Sequence, residues 1–228
     1  MNYAMSDLHG QYEKFREMLE QIHFSDSDTL YILGDTVDRG CGGIKLLQYL
    51  MTLKNVTVLR GNHDYIAYKL LFSCMHPETI SDPSETAQDL ALWFRDGGKP
   101  TFDSFRKLEP DQQNEVLRYL NFFLIYEETE INGRKFFLSH TIPSKEKMLN
   151  FESCEWSDFV FGDPEYDKQY FVDRYLVTGH IPTGIISSDN SGRIYRTNNH
   201  IAIDCGTGFG KPLGCIRLDD FAEYYSIL

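Results

Sequence analysis

With 228 residues, 42% hydrophobic and 25% charged, the chain has an ordinary globular composition and enough length to bury a core without disulfide or metal staples. Disorder is excluded, and so is a string of small modules; one domain spanning 1–228 is the economical expectation. A formal net charge of −12 argues against a general nucleic-acid binder, because an acidic surface repels polyanions.

No apolar run is long enough for a membrane span, and no basic, then apolar, leader precedes Asp7. A cytoplasmic protein without a membrane partner is therefore expected. Cys41, Cys74, Cys154, Cys205 and Cys215 form no C-x-x-C pair and are odd in number, so free thiols are expected.

In chain order, Asn2 to Met5 is a short apolar segment. Gln11 to Ile22 places Phe15, Met18, Leu19 and Ile22 at helical spacing. Thr29 to Leu33 reads as a buried strand, Ile44 to Leu53 as a helix, Val56 to Leu59 as a third strand, and Tyr65 to Phe72 as a helix. This alternation predicts a parallel sheet. From about 73 to 120 strand signals vanish. Ala87 to Phe94 and Asp111 to Leu120 read as helices, a helical insert over one edge of the sheet. Phe122 to Ile131 and Arg134 to Ser139 then flank Asn132-Gly133, a hairpin turn. Further strands are expected near Tyr175–Thr178, Ile185–Ser187, Ile201–Ile203, Cys215–Leu218 and Glu223–Ser226.

The chemistry lies at the ends of the apolar runs. The first ends in Asp7-Leu8-His9-Gly10, the second in Gly34-Asp35 continuing to Asp38-Arg39-Gly40, and the third in Gly61-Asn62-His63-Asp64. Later runs end in His140 and His180. Taken singly, an Asp after a strand is more often a turn former or helix cap. Together the segments deliver Asp7, His9, Asp35, Asn62, His140 and His180 to the carboxyl edge of a sheet, where α/β proteins bind ligands. An O/N donor set without thiolate suits Mn²⁺ first, with Fe or Zn²⁺ as alternatives, and disfavours structural zinc. Six ligands exceed the needs of one open catalytic ion. Two ions sharing Asp35 use them naturally, and such a pair activates water for in-line phosphoryl displacement. His23, His76 and His200 match no motif, and Asp204 is expected to bond backbone groups.

These segments resemble the D-x-H-G, G-D-x-x-D-R-G and G-N-H-[ED] signatures of calcineurin-like metallophosphoesterases, and more narrowly the bacterial-type phosphoprotein phosphatase branch. The resemblance runs from residue 5 to about 210, with Trp93, Gly97-Gly98, Thr101 and Ser104 resembling the helical insert of bacterial members. It implies an α/β fold, a two-sheet β-sandwich flanked by helices in four α-β-β-α layers. It places Asp7, His9 and Asp35 on one metal, and Asp35, Asn62, His140 and His180 on a second. Arg39, with Asn62, would bind substrate phosphate; His63, oriented by Asp38, would protonate the leaving oxygen. The implied function is hydrolysis of phosphomonoesters by direct attack of a metal-bound water, foremost on phosphoserine or phosphothreonine in a protein, or on a small phosphoester. Two alternatives stand beside it: a symmetrical bis(5'-nucleosyl)-tetraphosphate hydrolase, and a non-catalytic module keeping the fold. The chain departs from the branch at Trp156-Ser157-Asp158, where a second phosphate-binding arginine is usual. Arg174 is the candidate replacement.

Overall fold

The structure, a computed structural model, describes residues 1–227. In the first sheet β1 (Asn2–Met5), β2 (Thr29–Ile32) and β3 (Val56–Val58) run parallel. β9 (Gly214–Arg217) and β10 (Glu223–Tyr225) complete it antiparallel, in the order β10-β9-β1-β2-β3. The second sheet has the order β4-β5-β6-β8-β7, from β4 (Tyr126–Ile131), β5 (Arg134–Ser139), β6 (Tyr175–Thr178), β7 (Tyr195–Thr197) and β8 (His200–Ala202). Its three central strands are parallel. The β4–β5 turn puts Asn132 and Gly133 at φ of 52° and 76°, the paired left-handed geometry that a two-residue hairpin requires.

Strand alternation sorts side chains into layers. On β1, Tyr3 and Met5 face the helices while Ala4 faces the second sheet; on β2, Leu30 and Ile32 face the helices while Tyr31 and Leu33 do not. Phe136 and Leu138 of β5 and Val177 of β6 meet Tyr31 and Leu33 between the sheets. Phe137 and Leu176 point outward beneath a third cluster with Ile142, Met148 and Phe159. This outermost layer is thin, built on the single-turn helices α7 (Lys145–Met148) and α8 (Asp158–Phe161).

The other face carries α1 (Tyr12–Gln21), α2 (Gly43–Leu50) and α3 (Asn62–Met75), joined by α4 (Pro83–Trp93), α5 (Lys99–Phe105) and α6 (Pro110–Asn121). Asp82 caps α4 by accepting from the amides of Ser84 and Glu85 at 2.8 and 3.2 Å, with Pro83 at the first helical position. The segment 73–120 lies beside edge strand β3, whose continuation bridges Leu59 to Leu124. It is more than an insert over an edge. Trp93, Phe105, Val116 and Leu120 belong to the same buried cluster as Phe15 and Leu47.

Several expectations need correction. Ile185–Ser187 is no strand: α9 (Thr183–Ile186) is a turn of helix, shaped by Pro182 before it. Residues 122–125 precede β4 rather than belonging to it, because Phe122 still closes α6. α5 was hidden by Gly97-Gly98 and Pro100, across which the chain re-enters helix with Gly97 at φ 105°. The five cysteines are free, as expected from the sequence.

The inter-sheet layer sets the expected cost of cavity formation. Leu138 is fully buried there. Leu138→Ala should lose ~2–5 kcal/mol, read as a fall in the urea midpoint at unchanged m-value. A loss below ~1 kcal/mol would show that the sheets close over the gap.

Candidate metal centre

Three of the five strand ends, those after β1, β2 and β6, enter the site through a tight backbone turn. Asp7, His9, Asp35, Asp38, Arg39 and His180 all have φ between 42° and 69°, a region non-glycine residues seldom occupy. Left-handed residues let a chain leaving a strand reverse at once, so consecutive side chains converge on the strand ends. Gly34, at φ 89°, makes the closest approach: a Cβ there would lie 2.6 Å from His140 Nδ1 and 2.7 Å from Gly61 Cα.

His140, fully buried, donates Nδ1–H to the Leu33 carbonyl at 2.7 Å. Its Nε2 therefore carries a lone pair. That atom lies 3.0 Å from Asn62 Oδ1 and 3.1 Å from His180 Nδ1, which is itself 3.1 Å from Asn62 Oδ1. His9 repeats the pattern, with Nδ1 3.2 Å from the Val37 carbonyl and Nε2 turned toward Asp35 Oδ2 at 3.7 Å and Asp7 Oδ1 at 4.0 Å. Asp35 sits between the groups, its other oxygen 3.6 Å from His140 Nε2 and accepting from the His63 amide at 3.0 Å. Asp7 Oδ2 accepts from Ser6 Oγ and from the His180 amide, while Asp7 Oδ1 is buried without any partner.

An unpartnered, buried Asp7 Oδ1 beside converging carboxylate, imidazole and carboxamide atoms fits a cation. His9, Asp35 and His63, and separately Asp7, Asp35 and His140, bring ligand atoms within 4.8 Å of one another. Burial pushes the Asp7 carboxyl well up, helped by Asp204 and Asp35. It lowers His9 to about 3 and His180 to about 4, so these rings offer lone pairs rather than charge. Asp35 is buried too, but the surrounding His140, His63 and His9 hold it well below the usual carboxylate range.

Beside this cluster lies a second set. His63 Nδ1–H donates to Asp38 Oδ2 at 2.8 Å. Burial opposes a charged His63, but Asp35 and Asp38 outweigh it and raise it to about 9. Arg39 donates through Nη1 to His9 Nε2 at 2.7 Å and holds Nη2 3.1 Å from His63 Nε2. The Phe209 ring stacks on its guanidinium at 4.4 Å.

Several contributors were not foreseen. Trp93 Nε1 donates to Asp38 Oδ2 at 2.7 Å and Thr101 Oγ1 to Asp38 Oδ1 at 2.7 Å, so α4 and α5 hold this carboxylate. Asp64 binds four groups: the amides of Asp35, Thr36 and Gly61 at 2.8, 2.9 and 3.0 Å and Thr36 Oγ1 at 2.6 Å. It clamps the second strand end to the start of α3. The signal that could have found it is its place as the last residue of Gly61-Asn62-His63-Asp64. Asp204 accepts from the Gly206 amide at 2.8 Å, the backbone role expected of it.

Arg174 is no substitute phosphate ligand. It precedes β6, whereas His180 follows that strand at its other end, and it pairs with Glu128 at 2.6 Å and Asp173 at 3.1 Å.

Two sheets flanked by helices, with carboxylates, imidazoles and a carboxamide converging at the strand ends, are consistent with the metallophosphoesterase fold and a candidate metal centre. The chain belongs to the calcineurin-like phosphoesterase family, which it matches over residues 3–206. It is 48% identical over 64 residues to a symmetrical bis(5'-nucleosyl)-tetraphosphatase of Buchnera aphidicola, covering 27% of this chain and 23% of that protein. A relative of the same name from Salmonella paratyphi B is 42% identical over 64 residues, again 27% and 23%. The chain thus spans about a quarter of the length of the curated relatives it matches. Among solved structures, a candidate diadenosine tetraphosphatase superposes with TM-score 0.67 at 16% identity, covering 98% of this chain and 91% of that one. A protein serine/threonine phosphatase from Saccharomyces cerevisiae superposes with TM-score 0.56 at 14% identity, covering 94% and 71%.

The Asp64 clamp yields a measurable expectation. Freed from it, the Asp35 and Asn62 turns lose their alignment, and Asp64→Ala should weaken divalent-metal binding by ~10–100-fold in calorimetric titration. Asp64→Asn, which keeps acceptors on one side only, should fall between. Wild-type affinity in Asp64→Ala would reduce the clamp to a fold element.

Proposed function

We propose that this chain is a two-metal hydrolase whose substrates are small nucleotides joined through phosphoric anhydride, of the dinucleoside tetraphosphate type. Asp7, His9 and Asp35 would hold one divalent cation, and Asp35, Asn62, His140 and His180 the other. The observation that carries this reading is the buried convergence of carboxylate, imidazole and carboxamide atoms around an unpartnered Asp7 Oδ1, with Arg39 and the His63–Asp38 pair on one side of it. Mn²⁺, Fe and Zn²⁺ all suit this donor set. When bound, such ions stabilise charge on a phosphoryl group and acidify water.

The chain's own residues do the rest. Arg39 presents a planar fork that can donate two bonds to phosphate oxygens, held in place by the Phe209 ring. Asn62 opens α3, so the helix N-terminus adds its partial positive charge at the same point. His63 has Nδ1 committed to Asp38, which leaves Nε2 as the atom that protonates a departing oxygen. The similarity to named tetraphosphatases supports the anhydride substrate, although it extends over only 64 residues.

A phosphoprotein phosphatase is the second reading, and the His63–Asp38 pair favours it. A departing serine alkoxide is strongly basic and needs a proton, whereas a departing phosphate, with pKa near ~6, needs little help.

The deciding panel is metal-stripped protein reconstituted with each ion and offered diadenosine tetraphosphate and a phosphoserine peptide. The expected outcome is a higher kcat/KM for the dinucleotide; the reverse order selects the second reading. No turnover of either by fully loaded protein would leave a non-catalytic module.

A mutant separates the roles. His63→Asn should slow phosphoserine cleavage by ~10²–10⁴-fold and dinucleotide cleavage at least tenfold less. Equal losses would remove the proton-donor role. Asp35→Asn should abolish turnover and hold fewer than two ions per chain by elemental analysis. Full occupancy with normal turnover would leave Asp35 as a turn residue.

A further inference from the structure

Next to the site, α3, α4 and α8 surround a cavity of about 340 Å³, within the ~300–1,000 Å³ range of small-molecule sites. Tyr65, Ile66 and Leu70 line it from α3, Leu92 and Trp93 from α4, and Phe161 from α8. Its rim is unusually apolar for a surface: Leu92 is 52% exposed, Phe161 46% and the neighbouring Trp156 43%. The Trp156 and Phe161 rings stand 4.7 and 5.9 Å from that of Tyr65. Neither metal binding nor proton transfer explains two exposed aromatic rings gathered on a partly buried third at this place.

Asp96 shows where the cavity leads. It lines the cavity, yet its carboxylate lies 3.7 Å from His63 Nε2 and 4.0 Å from Arg39 Nη2. The hollow therefore opens on the atoms that would meet the departing group. A second carboxylate, Asp89, lines it and is paired with Lys69 at 2.9 Å. Lys69 also lines the cavity and neutralises Asp89, while Asp96 can accept a hydrogen bond from a ring N–H. A flat aromatic ring edged with donors and attached to a phosphoryl group suits these walls and Asp96.

The geometry points to this cavity as the binding site for the nucleobase on the departing side of the substrate. The assignment rests on the phosphoesterase reading above and adds to it a specificity-determining surface. Tyr65 and Phe161 supply stacking faces, and Asp96 accepts from the ring edge. Base–aromatic stacking tolerates any base, so adenine and guanine substrates both fit.

The protein carries its own reporter. Its two tryptophans are Trp93, which lines the cavity, and Trp156, which packs on the cavity wall. Metal-loaded protein is titrated with AMP and with ribose 5-phosphate, which shares the phosphate but lacks the base, while tryptophan emission is followed. AMP should change the emission along a saturating curve and ribose 5-phosphate should not. Leu92→Glu and Phe161→Ala, both at exposed positions, should each weaken AMP binding by about tenfold while keeping the wild-type melting temperature. Identical responses to the two ligands, or two stable variants that bind AMP like wild type, would overturn the assignment. Failure to hydrolyse diadenosine tetraphosphate would remove the proposed substrate, and this titration would still decide the cavity.

Discussion

His140 gives its one N–H to the Leu33 carbonyl, across the seam between the two sheets, and is thereby committed to present a bare lone pair on the other side. His9 makes the same commitment toward Val37. Much of the rest follows from these two backbone contacts. Among the carboxylate, imidazole and carboxamide atoms gathered here, Asp7 Oδ1 is buried without a partner, a state that costs about 1–3 kcal/mol per unsatisfied buried group. The left-handed turns that aim these side chains add strain. A marginally stable protein sustains both only because a continuous apolar layer, from Tyr31 and Leu33 to Phe136 and Leu138, holds the two sheets in register.

The helices after α3 belong to this same construction. Arg39 receives a backbone bond from them, its amide donating to the Gly97 carbonyl at 2.8 Å, and Asp38 is held from α4 and α5. The side chains of the candidate site therefore divide by origin. Strand ends supply the ligand cluster, while the helical segment orients the arginine and the imidazole–carboxylate pair. Variation in that segment can alter what is bound without disturbing the cation ligands.

The sequence made the strand-end chemistry readable because it is concentrated in contiguous stretches: Asp7 to Gly10, Gly34 to Gly40 and Gly61 to Asp64. His140 and His180 were readable because each follows an apolar run. The supports were not. Trp93 and Thr101 reach Asp38 from 55 and 63 residues away, and no local pattern encodes such a pairing. β7, three residues reading Tyr-Arg-Thr, has too little apolar alternation to announce a strand. Ile185 and Ile186 carry β-branched side chains into a helical turn, because Pro182 and the Thr183 bond to the Asp204 carbonyl decide the local backbone. The aromatic cavity was invisible for a further reason: its rings come from three elements that meet only after folding.

One consequence of α3 concerns length. The helix starts with Asn62 and His63 at the reacting end and continues into Tyr65, Ile66 and Leu70 along the cavity wall. At 1.5 Å rise per residue, these positions lie ~3–10 Å beyond His63 along one rigid axis. The element is in effect a ruler. A molecule whose ring and scissile bond are separated by too few or too many linking atoms can satisfy one end of it but not both. Under the proposed function, discrimination among homologous phosphate chains would follow from the spacing of residues on a single helix.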